Sequence, residues 1–326
     1  MKILNINLDV DPACVGGNLS RAINKYTDHE CHHLSYSKAI TYSISKWQDV
    51  VYDLILEDEL AALIESADIL HFNQYDWMFK IYGKENNFKT IKNYIKPHHK
   101  IIFHGHGGSW LLNPTSQIER CKEVGAHIVV CSPLDPCVIQ YDLCKWIPNV
   151  LDVEEKLHPN WNRDFKNEII IGQAANHSAG VYKGAELVKY MVDHLGTNEH
   201  KYPVKYEMIT GAILEESLKM RREHHMTVDN WVQGFSGMAG FEGLALGHIV
   251  FARFDKVVAD AWCGFAEEMI PIVDIKGFDT CAREIRQYCD DRDLLVEDSR
   301  KSRVWIEKYY NEKTIVDKWI KYYEGL

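Results

Sequence analysis

Apolar positions along the chain follow two alternating rhythms. Compact runs rich in Ile, Leu, Val and Phe predict strands over residues 2–9, 68–72, 100–103, 126–131 and 145–148. Spacings of three and four predict helices over 18–26, 56–67 and 88–94. The alternation then restarts, with strands over 168–171, 204–209, 227–228, 248–252 and 270–273 and helices over 185–194, 214–222 and 241–246. Such alternation builds α/β domains, parallel sheets covered by helices on both faces. Residues 149–167 are charged and lack either period, which predicts a boundary there. The expected organisation is a first domain over 1–150, a linker over 151–167, a second domain over 168–310 and a terminal segment over 311–326. The tail from 302 to 326 reads as helix, and Ile315, Val316, Trp319, Ile320 and Tyr323 form an apolar stripe that must pack on a domain surface. Ligands of two doubly wound domains facing one cleft belong at the carboxyl ends of the strands.

Composition narrows the picture. The 326 residues are 46% hydrophobic and 26% charged, which fits about two globular domains and excludes a disordered chain. A net charge of −10 opposes a nucleic-acid grip driven by overall charge. Lys80, Lys84, Lys89, Lys92, Lys96 and Lys100 form either a local basic face or a solvated helix surface. No apolar run reaches the roughly 20 residues of a membrane span, and the amino terminus opens as a strand instead of a signal peptide. Nine cysteines without a CxxC pair fit reduced thiols in a cytoplasm better than disulfides or zinc.

Four segments at strand ends carry candidate chemistry. Gly16 and Gly17 lie between the first strand and first helix, where bare backbone approaches an anion or simply makes a tight turn. His104 and His106 follow the strand over 100–103, as ligand contacts, as a hydrogen-bonded pair or as an HxH metal pair. Lys183 stands at the mouth of the helix over 185–194, where a lysine suits a phosphate; alone, it would also serve as a solvated lysine. The amides of Gly237, Met238 and Ala239 would form an anion nest, and Glu242 one turn on is either an acceptor for vicinal sugar hydroxyls or a helix-dipole carboxylate. GxGxxG and GxxxxGK[ST] are both absent, which disfavours standard dinucleotide and Walker sites.

In this order the segments resemble the retaining GT-B glycosyltransferases, in particular the family-four-like group (glycosyl transferases group 1). The resemblance runs through Gly16-Gly17, Ala67 to Asn73, Ile101 to Gly105, Val129 to Pro133, Trp146 to Asn149, Lys183-Gly184, the 237–250 segment and Trp305 to Tyr310. It implies two Rossmann-like domains and a final helix crossing back to the first domain. It also implies a nucleotide-diphosphate sugar as co-substrate, a UDP-sugar first, with no further cofactor and no metal. By the resemblance Lys183 contacts the diphosphate, with His177 where many members carry arginine. Gly16 and Gly17 close over the diphosphate, His104 touches the transferred sugar, and Glu242 binds the ribose as the second glutamate of an EX7E motif. The first glutamate would fall at Gly234, which leaves open whether another carboxylate, Asp229 or Glu267 among them, replaces it.

The expected activity is metal-independent, retaining transfer of a hexosyl or pentosyl group to a hydroxyl acceptor. His104 and Glu242 are the catalytic candidates. The acceptor is a glycan, a small molecule or a modified DNA base, and Asn73, Gln74, Asp76, His106 and Ser109 are the candidates on its side of the cleft. One alternative is a degenerate GT-B protein that binds a nucleotide sugar or glycan without transfer. Others are a metal-dependent hydrolase using His104 and His106, and a nucleotide-sugar epimerase.

Overall fold

The computed structural model of the chain describes residues 1–7, 15–35, 50–51, 57–73, 94–106, 118–119, 121–122, 124–133, 144–174, 183–197, 201–212, 214–232 and 234–326. The chain divides into two compact units: Met1–Val150 together with Glu312–Leu326, and Leu151–Asn311.

The first unit contains β1 (Lys2–Asn7), α1 (Val15–Tyr26), β2 (Glu30–Ser35), β3 (Val50–Val51), α2 (Glu57–Ser66), β4 (Ile69–Asn73), β5 (Lys100–Gly105), β6 (His127–Val130) and β7 (Cys144–Trp146). The second contains β8 (Ile169–Ala174), α3 (Ala185–Leu195), β9 (Val204–Ile209), α4 (Leu214–Arg221), β10 (Met226–Val228), α5 (Met238–Ala245), β11 (Ile249–Ala252), α6 (Lys256–Ala266), β12 (Ile272–Asp274), α7 (Phe278–Asp290) and α8 (Arg292–Tyr309). The last helix, α9 (Glu312–Glu324), belongs to the first unit.

Seven parallel strands of the first unit run in the order β3-β2-β1-β4-β5-β6-β7. Alternation along each strand decides its faces. Leu4, Ile6, Leu70, Phe72 and Phe103 enter one apolar core with Leu60 and Ile64 of α2. Burying such a side chain is worth about 1.5–3 kcal/mol. The intervening positions turn polar toward the carboxyl ends: Asn5 pairs in register with His33 and His71, and Asn73 with His104. The strand order reverses between β1 and β4, where a doubly wound sheet opens a crevice.

In the second unit five parallel strands run β12-β11-β10-β8-β9, with the reversal between β8 and β10. Ile169, Ile171, Met226 and Phe251 of the sheet pack with Val188 and Met191 of α3 and Ile285 of α7. Residues 151–167 carry no helix or strand, yet Leu151, Val153, Leu157 and Arg163 are buried.

Helix α9 docks through the apolar stripe. Ile315, Val316, Trp319 and Tyr323 are buried and Ile320 is half-buried. The Trp319 indole N–H donates to the Pro148 carbonyl at 3.2 Å, and the Tyr323 hydroxyl lies 2.6 Å from His71 Nδ1. At its first residue Glu312 is wholly buried, with both Arg21 terminal nitrogens on its carboxylate and the Tyr26 hydroxyl donating at 3.2 Å.

Several elements differ from the expected ones. β2 and β3 are additional, because Glu30-Cys31-His32-His33-Leu34-Ser35 has too few apolar residues to announce a strand and becomes one by pairing with β1. Helix α1 starts at Val15, so Gly16 and Gly17 form part of its first turn and not a loop. Helix α5 likewise starts at Met238 instead of Phe241. α6 and α7 are also additional. The tail is two helices, since α8 begins at Arg292 and the chain breaks at Tyr310 and Asn311. The expected helix over 88–94 falls outside the described residues except at Tyr94. Among the described residues, no helix is long and apolar enough to cross a membrane. The described cysteines are all free thiols.

Candidate functional site

The carboxyl edge of the second sheet gathers the most organised polar cluster. Lys183 sits at the start of the turn into α3, and its Nζ donates to the carbonyl of Ala174, the last residue of β8, at 3.2 Å. The same nitrogen donates to Asp229 Oδ1 at 2.5 Å. Asp229 is the first residue past β10, so the pair spans the reversal point between β8 and β10. Asp229 Oδ2 accepts the Ser236 hydroxyl at 3.0 Å and the Gly237 N–H at 2.5 Å. Burial by itself would raise this carboxyl's pKa, but the Lys183 charge and these hydrogen bonds outweigh it and hold the pKa below the usual value.

The backbone explains how the cluster is held. Gly184 has φ +74°, and a Cβ there would lie 2.8 Å from the Trp231 Cβ. Trp231 N–H donates to the Lys183 carbonyl at 3.2 Å, as does Gln173 Nε2 at 3.2 Å. Gly240 has no Cβ to block Ser236, whose Oγ would be 1.9 Å from one. Gly237 is the N-cap of α5, and its amide is taken by Asp229. The expected three-amide nest is therefore smaller. Met238 and Ala239, both half-buried, are the amides at this terminus that meet no protein acceptor among the described residues. With the α5 dipole behind them they favour an anion.

Glu242 is on α5 and buried, and its Oε2 is bound by Arg221 Nη1 from the end of α4. Arg221 Nη2 donates to the Ala239 carbonyl at 2.6 Å. The residue expected to accept sugar hydroxyls is thus shared with a guanidinium. At Gly234 the missing side chain has a physical counterpart. A Cβ there would lie 2.1 Å from Asp255 Oδ2, and the Asp255 N–H donates to the Gly234 carbonyl at 2.9 Å. Asp255 stands at the N-cap of α6 without capping it, and its half-exposed carboxylate is 3.6 Å from Arg253 Nε. It borders a cleft of ≈ 580 Å³ lined also by Trp231, Asp274 and Lys276. Asp229 is committed to Lys183 and Gly237, and Glu267 lies at the far end of α6, so neither takes the Gly234 position.

In the first unit, Gly16 packs against polar side chains. A Cβ there would lie 2.9 Å from His33 Nε2, 3.1 Å from Asn7 Nδ2 and 3.2 Å from Asn73 Nδ2. The Gly16 carbonyl accepts from Asn5 Nδ2 at 3.1 Å, and Asn73 donates to Asn5. Gly17 is buried beside it. His104 is wholly buried, with its ring 4.9 Å from Trp319, 5.2 Å from His71 and 3.9 Å from His106. Neither ring nitrogen has a hydrogen-bond partner among the described residues, and burial, then His106 and His71, pushes its pKa well below the ordinary value. His106 is half-buried, its ring lies 3.1 Å from Asn73 Oδ1, and burial holds its pKa down to about 3. The His104 ring is tilted by 50° to those of His71 and His106, and among the described residues no group of three or more His, Cys, Asp or Glu could hold a metal. His177, Gln74, Asp76 and Ser109 lie outside the described residues.

The structure therefore joins Lys183 to the α5 terminus and places Asn73 and His106 together. It adds Ser236, Arg221 and Asp255, and it moves Asp229 to the centre of the cluster. Asp229 had a signal, a carboxylate directly after the buried Thr227-Val228 strand. Asp255 had none, because only the fold brings it onto Gly234.

No family model and no curated protein matches the chain. Solved structures do. An alpha-glucosyltransferase in complex with UDP and a 13-mer DNA containing a HMU base superposes over 98% of both chains, with TM-score 0.71 at 12% identity. HepE of Anabaena in complex with UDP covers 100% of both chains, with TM-score 0.63 at 13% identity. Sucrose-phosphate synthase from Thermosynechococcus elongatus covers 100% of this chain and 98% of its own, with TM-score 0.62 at 12% identity. The likeness is one of fold, and the chain has the α/β GT-B fold of these glycosyltransferases.

Proposed function

We propose that the protein is a glycosyltransferase that moves a sugar from a UDP-sugar to a hydroxyl acceptor, retaining the anomeric configuration and using no metal. The observation that carries this reading is the Lys183–Asp229–α5 cluster at the strand reversal of the second sheet. Departure of the leaving group builds charge on the diphosphate. Lys183 and the Met238 and Ala239 amides are placed to stabilise that charge. Asp255 supplies a carboxylate beside Gly234, which has none. No general-base pair is needed if the leaving phosphate takes the acceptor proton. Catalytic contact on the first unit is assigned to His106, since Trp319 covers His104.

Among hydroxyl acceptors a hydroxymethylated base in DNA comes first, supported by the whole-chain likeness to the alpha-glucosyltransferase bound to HMU-containing DNA. Glycans and small molecules follow. The domain division at 150/151 and 311/312 and a cytoplasmic location complete the reading. The test is incubation with UDP-glucose and duplex DNA containing hydroxymethyluracil or hydroxymethylcytosine, with EDTA present, followed by mass spectrometry of the nucleosides. A gain of one hexose on the modified base is expected, with an α-linkage by NMR. UDP binding without transfer to DNA, glycan or small-molecule acceptors would favour the second reading, a nucleotide-sugar binder, which the glycine at 234 motivates.

A further inference from the structure

Asp229 is a buried carboxylate inside a site built for an anion. Its side chain is fully buried, against 19% exposure for Lys183, so it lies beneath the lysine and does not face solvent. Each oxygen holds a different element. Oδ1 takes Lys183 Nζ from the turn after β8, and Oδ2 takes the Gly237 amide at the head of α5, both at 2.5 Å. Ser236 closes the second side at 3.0 Å. The Lys183 ammonium has three N–H groups. Asp229 takes one and the Ala174 carbonyl another, which among the described residues leaves one N–H for a ligand.

We propose that Asp229 is a positioning residue: its carboxylate ties the Lys183 ammonium to the first turn of α5, so that a phosphate meets one fixed lysine N–H beside the free amides of Met238 and Ala239. This rests on the donor site proposed above. Two consequences follow from electrostatics. The pair is neutral overall, so phosphate affinity comes from directed donors more than from net charge, and its salt dependence is shallow. Lys183 is also set before the ligand arrives, which lowers the reorganisation needed as the leaving group gains charge.

The test compares wild type, Lys183→Ala, Asp229→Asn and the milder Ser236→Ala in UDP binding by calorimetry at low and high salt, and in UDP-glucose turnover. Asparagine keeps the shape but presents an amide N–H₂ to the Gly237 N–H and removes the counter-charge. Asp229→Asn is expected to bind UDP about threefold tighter at low salt, with a steeper loss at high salt, because Lys183 is no longer neutralised. Its turnover is expected to fall about tenfold or more. Ser236→Ala is expected to slow turnover about threefold and leave the salt slope unchanged. A purely structural role would lower melting temperature and affinity together and leave the slope alone, and that result overturns the proposal. So does an Asp229→Asn enzyme with the wild-type slope, even where turnover is too slow to follow. If Asp229→Asn does not fold, Ser236→Ala with wild-type turnover overturns it. Absence of UDP binding by the wild type removes the donor site itself; wild-type binding that Lys183→Ala weakens, with Asp229→Asn indistinguishable from wild type, removes only the role of Asp229.

Discussion

Lys183 is legible in the sequence as a lysine between a strand and a helix, and Asp229 as a carboxylate after a buried strand, whereas their pairing is not. A charge-assisted hydrogen bond is worth about 1.5–3 kcal/mol. Lys183→Ala is therefore expected to weaken UDP binding by about 10- to 100-fold, read by calorimetry. It also leaves Asp229 buried without its cation, so the melting temperature falls as well. Asp255 gives a sharper expectation. Asp255→Ala should keep UDP affinity within about twofold and slow UDP-glucose turnover about tenfold or more, as loss of a contact to the sugar does. Gly234→Glu alone should gain no turnover over wild type, because its Cβ would displace the Asp255 carboxylate it meets. Asp255→Ala combined with Gly234→Glu should restore part of the turnover, and a double variant no faster than Asp255→Ala would sink the assignment. Gly234 looks like a loss in the sequence because a motif records neighbours along the chain. The carboxylate beside it comes from the end of another strand, β11.

Among the elements, strands with apolar runs are the ones that sequence periodicity finds. β5, β8 and β11 each read as compact hydrophobic segments, and β9 as apolar residues alternating with Lys205 and Glu207. β2 does not, since His33 and Ser35 are buried by neighbours instead of by their own chemistry. The starts of α1 and α5 were hidden by glycine, a poor helix former. In both helices packing requires it: Gly16 has His33 at 2.9 Å from its would-be Cβ, and Gly240 has Ser236 at 1.9 Å. Gly16→Ala is expected to cost about 1–3 kcal/mol in denaturant unfolding, and an unchanged midpoint would contradict this packing. The break between α8 and α9 also has a tertiary cause, because Glu312 must enter the interior to meet Arg21. Arg21→Ala leaves that buried carboxylate with only the Tyr26 hydroxyl and, at 3.7 Å, Lys25 Nζ, and should destabilise the first unit by about 3 kcal/mol. Replacing Arg21 and Glu312 together with apolar residues should recover much of the loss, as measured by thermal or urea melts.

Across the whole molecule, two doubly wound sheets follow from alternation alone, and the strand orders do not. Those orders matter most for function, because each reversal, β1/β4 and β8/β10, is where the polar residues converge. Burial holds His71 down to about 3 and His225 to about 4, against about 6.5 when unfolded. The folded state thus binds fewer protons. Stability is full above about pH 6.5 and falls as pH drops toward 4, by about 1.4 kcal/mol per pH unit for each such histidine. Melting temperatures should be flat from pH 7 to 8 by this contribution and decline below about 6.5, in both units, since His71 and His225 lie in different ones. The return of α9 to the first unit bears on how the protein tolerates being cut. The second unit is one continuous stretch, Leu151–Asn311, while the first is discontinuous. A chain cleaved after Asn311 would keep the second unit whole and leave the first without Trp319 and Tyr323, the residues that cover its histidine layer. Such a chain carries one whole domain and one open sheet, the form most exposed to proteases and chaperones.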